Sequence, residues 1–405
     1  MTSKNPDEYI SQQKDLVKIG CRKIFNKIEA ISYLNYAAFT PPSLLTRKVM
    51  DDWFDDYASN GAAAYINWAN QRERLREKLA KLINCKAENI GFGDSTSGLI
   101  SDVTLMLNWK GGDRVLVFDG DFPSVIYPVK NAAKMFNLEV IMHGLDGFGD
   151  GTGQGLQRIE DELKRGIRLI AVSSTQYHTG LQMPIREISF LCKKYGAELL
   201  VDAAQSCGAI DIDVKKEDVD FLMAPTHKWL MGIEGAGFIY INKKAIERLV
   251  FRRSGWMSYE NGLEFLFGDP HKVSYENEIR KRPSFLELGM SNSVGFAALE
   301  AGISTHLHIG MEKIATHIQS LHDRLEEGLQ SLGYKTARQK DENSRSSILS
   351  MLPPKGMSTK SVAAEFARQK TAISTPDGYL RFAPSWPTDF EEVDYALDVA
   401  RSFKQ

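Results

Sequence analysis

Between residues 90 and 241, short apolar runs alternate with stretches whose apolar positions recur every three or four residues. The runs predict strands at 90–92, 114–118, 138–142, 167–173, 199–202, 221–224 and 237–241. The spaced stretches predict helices at 99–107, 124–136, 156–164 and 185–195. The last of these puts Ile188, Leu191, Cys192 and Tyr195 on one face and stops at Gly196. Strands alternating with helices in this way predict a mainly parallel sheet covered on both faces.

The flanks have other rhythms. Residues 6–30 read as a polar amphipathic helix. An extended segment, 31–42, ends in two prolines. A long helix is predicted over 44–83, with Leu75, Leu79, Leu82 and Ile83 on one face. Beyond residue 244 the alternation fades. Residues 254–283 form a long polar stretch holding Trp256, Tyr259, Phe265, Phe267 and Tyr275. It reads as a lid or loop, its aromatics assigned more to packing than to a pocket. Helices at 294–303, 314–332 and 390–403, with short strands between, predict a smaller α+β domain. The division expected is an N-terminal helical arm (1–30), a large α/β domain (31–285) and a small α+β domain (286–405).

Composition narrows the classes. The 405 residues are 43% hydrophobic and 25% charged, with a formal net charge of −2. That is an ordinary soluble composition with no basic excess for nucleic acid. No apolar run approaches the roughly 20 residues that span a bilayer, and the N-terminus lacks a signal-peptide pattern. A cytoplasmic protein without a membrane partner is the expectation. The cysteines, Cys21, Cys85, Cys192 and Cys207, form no CxxC pair, so neither a zinc site nor a disulfide framework is expected, and no metal.

Candidate chemistry concentrates in LLVDAAQSCGAIDIDVKKEDVDFLMAPTHK, residues 199–228. One strand ends in Asp202, with Gln205 close behind. The next ends in Thr226, His227 and Lys228. Strand ends on the carboxyl side of an α/β sheet are where ligands bind. An aspartate there is as readily the cap of a turn, and a lone lysine is usually a solvated surface residue. Together they supply what a pyridoxal 5'-phosphate (PLP) enzyme needs: a lysine to form a Schiff base and an acid to keep the pyridine nitrogen protonated. Upstream, GDSTSG (93–98) follows a strand and opens a helix. Its N–H groups and the hydroxyls of Ser95, Thr96 and Ser97 suit an anion, and equally a plain N-cap.

These motifs resemble the class V aminotransferase family, the fold-type-I PLP enzymes that include cysteine desulfurases, selenocysteine lyase, kynureninase and isopenicillin N epimerase. The resemblance runs from YLNYAAFTPP at residue 33 to about residue 394. It is most specific in VDAAQSCGAIDIDV and THKWL, and weaker in GDSTSG. The segments DFPS (121–124), SGW (254–256) and GYLRFAPSWPT (378–388) bring it nearest to the epimerase-like branch. It implies a mainly parallel seven-stranded sheet with a small α+β domain, and a homodimer with active sites at the interface. Lys228 resembles the Schiff-base lysine, Asp202 the partner of the pyridine nitrogen, and Gln205 the donor to the cofactor's phenolic oxygen. Ser95, Thr96 and His227 resemble phosphate ligands, and Phe122 the ring stacked on the pyridine. Arg381 resembles the arginine that holds the substrate carboxylate, with His178 and Asn35 as further substrate-side residues.

The chain departs from the family pattern at several points. Tyr177 and His178 stand where an asparagine is common. Pro225 stands near a phosphate-binding serine, with Thr226 as its replacement. Met290, followed by Ser291 and Asn292, stands where a partner-subunit phosphate contact is usual, and Asp94 sits awkwardly beside an anion site. A persulfide-forming desulfurase needs a mobile thiol in the C-terminal domain, and no cysteine follows Cys207. The reaction expected is transamination of a small amino acid. The alternatives are β- or γ-elimination without a protein thiol, epimerisation and, remotely, a binding module on the same fold.

Overall fold

The computed structural model describes residues 5–267 and 274–403. Its centre is a seven-stranded sheet. The strands are β1 (Ile90–Gly93), β2 (Arg114–Phe118), β3 (Glu139–His143), β4 (Ile167–Ser173), β5 (Glu198–Asp202), β6 (Phe221–Pro225) and β7 (Gly237–Ile241). Their spatial order is β1-β7-β6-β5-β4-β2-β3. All neighbours are parallel except β7, which runs against both β1 and β6.

Alternation along each strand sorts side chains to two faces. Leu116, Phe118, Ile170, Val172, Leu199 and Val201 enter one core, with Leu75 and Leu79 of the helix Tyr65–Leu82. Val115, Val117, Leu169, Ala171 and Leu200 enter the other, beneath the helices Thr96–Met106 and Pro123–Phe136. Every residue of β5 and β6 is buried. Burial on both faces is why these strands read as unbroken apolar runs.

A second, three-stranded antiparallel sheet has the order β10-β9-β8, from β8 (Lys335–Thr336), β9 (Leu349–Leu352) and β10 (Leu380–Phe382). The helices Met311–Ser331 and Phe390–Ser402 share a core with it. Ser32–Tyr33 pairs with Thr371–Ala372 in a separate two-stranded sheet, which ties residues 32–33 to the C-terminal part of the chain.

The long helices expected at both ends of the first 83 residues are interrupted. Residues 6–30 hold only the helix Pro6–Gln12 and a 3-10 turn, Arg22–Phe25. Gly20 has a left-handed φ of +69°. Ile24 and Phe25 are buried beside Trp386 and Tyr36, and Arg22 pairs with Glu392 at 3.0 Å. Tertiary contacts outweigh the helical pattern here. The helix expected over 44–83 breaks at Gly61, whose φ is +52°. It becomes Leu44–Asn60, a 3-10 turn and Tyr65–Leu82. A glycine accepts that conformation at little cost, so the chain bends there.

In the stretch read as a lid, Trp256–Ser258 forms a 3-10 turn and Tyr259 bridges Ile279. Tyr275 is 90% exposed, so it does not serve the packing expected of it. The side chains of Phe265 and Phe267 lie outside the described residues. No described helix is long and apolar enough to cross a membrane.

Two glycines govern the segment that follows β6. A Cβ on Gly302, in the helix Ser293–Ile309, would lie 2.0 Å from the Leu230 carbonyl oxygen. One on Gly208, at φ +96°, would lie 2.7 Å from the Trp229 carbonyl. Backbone meets backbone at both places. Gly302→Ala improves helix propensity by about 1 kcal/mol, yet we expect it to cost about 1–3 kcal/mol through overpacking. Urea unfolding of the two proteins checks this.

Candidate active site

The carboxyl ends of β1, β2, β4, β5 and β6 open on one edge of the large sheet. A cavity of about 530 Å³ lies there, lined by Thr96, Phe122, Asp202, Gln205, His227 and Lys228 among others. Phe39, Tyr177, Pro376 and Arg381 complete its wall. Side chains from residue 37 to residue 381 therefore converge on one space.

Lys228 stands three residues past the end of β6. Its backbone is fixed from far away in sequence: the Thr40 hydroxyl donates to the Lys228 carbonyl at 2.6 Å. The Thr40 N–H donates to the His227 carbonyl at 2.8 Å. The Lys228 Nζ lies 5.4 Å from the centre of the Phe122 ring. Burial lowers the amine's pKa and Arg381 adds to that, while Asp202 opposes it. Desolvation thus drives the amine of this half-buried lysine toward its neutral, nucleophilic form.

Asp202 is the last residue of β5. Its Oδ1 accepts the Ala204 N–H at 2.8 Å. Burial raises its carboxyl to about 6, against the Ala204 hydrogen bond and the Lys228 charge, which lower it. Gln205 donates through Nε2 to the Ala37 carbonyl at 3.0 Å and accepts from Trp229 Nε1 at 2.9 Å. One amide hydrogen of Gln205 is left for a ligand. His227 packs its ring on Phe39 at 4.8 Å. Burial and the neighbouring Lys228 push its pKa down to about 4, so the imidazole is neutral.

Arg381, on β10, enters from the second sheet and is only 6% exposed. Its Nε donates to Ser374 Oγ and its Nη1 to the Tyr177 carbonyl, each at 2.9 Å. Burial lowers its pKa to about 10. The Tyr177 ring meets Phe122 edge-on, 5.2 Å between centres at 79°.

The remaining candidates are placed less directly. Ser95 caps the helix Thr96–Met106: its hydroxyl accepts the Gly98 N–H at 3.1 Å and donates to Asp94. Asp94 turns back over that first turn, its Oδ1 2.4 Å from where a Gly98 Cβ would stand. Thr226 is fully buried, and its hydroxyl donates to the Ile233 carbonyl. It therefore does not replace the missing serine. His178 is 8% exposed, stands beside Gly120 and is not among the cavity's lining residues. Asn35 bridges Ala383 through its backbone, with its Oδ1 buried and unpartnered. It does not line the cavity either. Met290 is 68% exposed. Ser291 accepts from Arg72, and Asn292 caps the helix Ser293–Ile309. Of the lid aromatics, Trp256, Tyr259 and Tyr275 stay off the cavity.

The lining residues fit PLP on three observations. The Thr96 hydroxyl is buried and unpartnered at the cavity wall, at the start of a helix, where an anionic group finds donors. A buried acid and a half-buried lysine share the cavity. An aromatic ring, Phe122, flanks the amine. The carboxylates of Asp94 and Glu234, which also line the cavity, are the discordant charges. Among the described residues no cluster of metal-ligating side chains occurs.

Sequence reasoning missed Asp121, Ser173 and Thr40 as parts of this site. Asp121 did carry a signal, because it is an acid three residues past a buried strand, as Asp202 is an acid at the end of one. Thr40 carried none beyond its place in the TPP segment.

The aminotransferase class-V family model matches residues 32–379 of the chain. The uncharacterized aminotransferase YcbU of Bacillus subtilis (strain 168) is 25% identical over 385 residues, covering 93% of this chain and 95% of the relative. A probable cysteine desulfurase of Pyrococcus abyssi (strain GE5 / Orsay) is 30% identical over 313 residues, 75% of this chain and 74% of the relative. Among solved structures, a cysteine desulfurase from Thermococcus onnurineus NA1 in its apo form superposes with a TM-score of 0.82. It is 24% identical and covers 100% of this chain and 99% of its own. That likeness is one of fold.

The raised Asp202 pKa has a sign that can be measured. The folded state holds the proton more tightly than the unfolded chain, whose carboxyl titrates near 3.8. Its contribution to stability is complete below about pH 4 and is lost as pH rises through about 6. Cofactor-free Asp202→Asn should match the parent near pH 4. At pH 8 it should be more stable, by on the order of 3 kcal/mol. Urea melts at the two pH values check this.

Proposed function

Because the chain belongs to the aminotransferase class-V family, we propose that it is a PLP-dependent enzyme acting at the amino group and α-carbon of a small amino acid, most simply by transamination. The observation that carries this reading is the convergence of Lys228, Asp202 and Arg381 on one cavity. PLP supplies an aldehyde that takes up an amine and a ring that accepts the electron pair left when the α-proton departs.

The placement of each residue supports a task. Lys228, half-buried with its amine inclined to neutrality, would hold the cofactor and move the proton at the substrate α-carbon. Asp202 would keep the pyridine nitrogen protonated. Phe122 would offer its ring face, and Gln205 its free amide hydrogen to the phenolic oxygen. Thr96 would donate its hydroxyl to the phosphate, and Ser95 and His227 line the same cavity. Two Arg381 donors are occupied by Ser374 and the Tyr177 carbonyl, which fixes the guanidinium plane. Its remaining N–H groups are free to hold the substrate carboxylate.

Transamination is favoured over epimerisation by the count of bases. Epimerisation by two bases needs a second group across the α-carbon. Of the candidates lining the cavity, His227 has its pKa near 4, and burial raises the Tyr177 phenol. The carboxylates of Asp94 and Glu234 also line the cavity; among the lining nitrogen bases, Lys228 is the one suited to move the proton. A second reading, elimination at a C–S bond, is supported by the desulfurase relatives. It would run without a protein persulfide. The nearest cysteine in sequence, Cys207, is buried, and burial pushes its thiol up to about 12. It does not line the cavity.

Borohydride reduction of the PLP-loaded protein should attach the cofactor to the peptide containing Lys228. Lys228→Ala should lose both the attachment and turnover. The same holoenzyme, given a panel of amino acids together with a keto-acid acceptor, should pass the amino group to the acceptor without releasing ammonia; sulfide, ammonia and pyruvate released together from cysteine would favour the second reading. Arg381→Ala should raise KM for amino-acid substrates by about tenfold or more, measured by steady-state kinetics. A fall in kcat at unchanged KM would contradict that role.

A further inference from the structure

We propose that Asp121 is a positioning residue of the site: its buried carboxylate ties the turn carrying the Phe122 ring to the end of β4, and so fixes Ser173 beside Asp202. The inference rests on the PLP reading above and extends it to a residue outside the cavity wall.

The backbone shows why a tie is needed. β2 and β4 are neighbours, and their ladder pairs Arg114, Val115 and Leu116 with Ile167, Leu169 and Ile170. It stops there, before the edge on which the cavity opens. β4 continues paired with β5 as far as Ser173 opposite Asp202. On its β2 side the Ser173 N–H has no strand to meet. Asp121 meets it, accepting the Ser173 N–H through Oδ2 at 2.9 Å and the Ser173 hydroxyl through Oδ1 at 2.5 Å. The same Oδ1 accepts the Phe122 N–H at 2.7 Å. One side chain thus continues the β2–β4 link where the main chain has let go.

The carboxylate is 6% exposed, and among the described residues it forms no ion pair. A buried carboxylate with donors alone is costly, and a neutral residue could cap the turn for less. What the charge adds is strength and direction: hydrogen bonds to an ionised acceptor are about twice as strong as neutral ones. The two ends of the tie are both part of the site. Ser173 lines the cavity and pairs in register with Asp202. Phe122 carries the ring that faces Lys228 Nζ. Asp121 itself does not line the cavity, so it acts through these two.

The test uses PLP-loaded full-length protein, its Asp121→Asn variant and its Ser173→Ala variant. Three quantities are read: the absorption maximum of bound PLP, the rate of PLP release into buffer, and the melting temperature. Asp121→Asn keeps size and removes the charge. It should shift the absorption maximum and release PLP about tenfold faster while still melting cooperatively. Ser173→Ala keeps the carboxylate and its two backbone donors, and should move both readouts the same way by less. An Asp121→Asn protein with the parent's spectrum and release rate overturns the proposal. Should Asp121→Asn fail to fold, Ser173→Ala decides: a shifted spectrum with faster release supports the tie, and parental values overturn it. If the parent takes no PLP at Lys228 on borohydride reduction, the PLP reading fails and this one falls with it. A loaded parent with unaffected variants overturns the tie alone.

Discussion

A short piece of backbone, residues 226–231, must be held rigidly in a crowded interior for the rest of the site to have meaning. Lys228 sits in it, held by hydrogen bonds to its backbone, by one side-chain anchor and by close backbone packing. Thr40 takes the carbonyls of both Lys228 and His227. The Gly232 N–H donates to the Thr226 carbonyl at 2.8 Å and closes the turn. Trp229 is fully buried and is anchored by Gln205. Gly208 and Gly302 leave room for two other backbones to press against residues 229 and 230. A flexible lysine stem on a rigid base can swing its amine between two atoms without losing its place. That is the mechanical requirement for a proton carrier.

The second constraint is electrostatic. Lys228, Asp202, Asp121, His227 and Arg381 are brought together in a largely enclosed region. Burial raises the two acids and lowers the three bases. Each group is moved toward neutrality by the same cause, and the mutual attractions and repulsions only partly reverse it. A neutral lysine is a nucleophile, a neutral histidine is a hydrogen-bonding group without charge, and an acid near neutrality can hold a proton for a ring nitrogen. The arrangement is chemically poised and costs stability. Buried functional groups commonly do.

Relatives of this chain carry the names of a desulfurase and of an aminotransferase, and the two chemistries share their first steps. They part at a thiol. The cysteines of this chain all precede residue 208, and Cys207 is buried away from the cavity wall. On the aromatic side of the cavity Phe122 and Tyr177 pack edge to face, and the Tyr177 carbonyl orients Arg381.

Much of the large sheet was legible along the chain, because strands buried on both faces must be apolar throughout. Runs such as 199–201 and 221–224 admit little else, and Asp202 and Lys228 stand out where those runs end. The GDSTSG turn was legible as a helix start for the same local reason. The helices expected over 6–30 and 44–83 were not, since Gly20 and Gly61 take left-handed conformations that a periodic pattern does not report. Neither were the pairings that complete the site. Arg381 binds the Tyr177 carbonyl across 204 positions of sequence, and Thr40 binds the Lys228 carbonyl across 188. Asp121 reaches Ser173 across 52. By itself the sequence determined which strands are buried and which charged residues end them, since burial and chain direction act locally. Only the tertiary structure decided which of those charges face one another, because that depends on strand order and on how closely backbones pack.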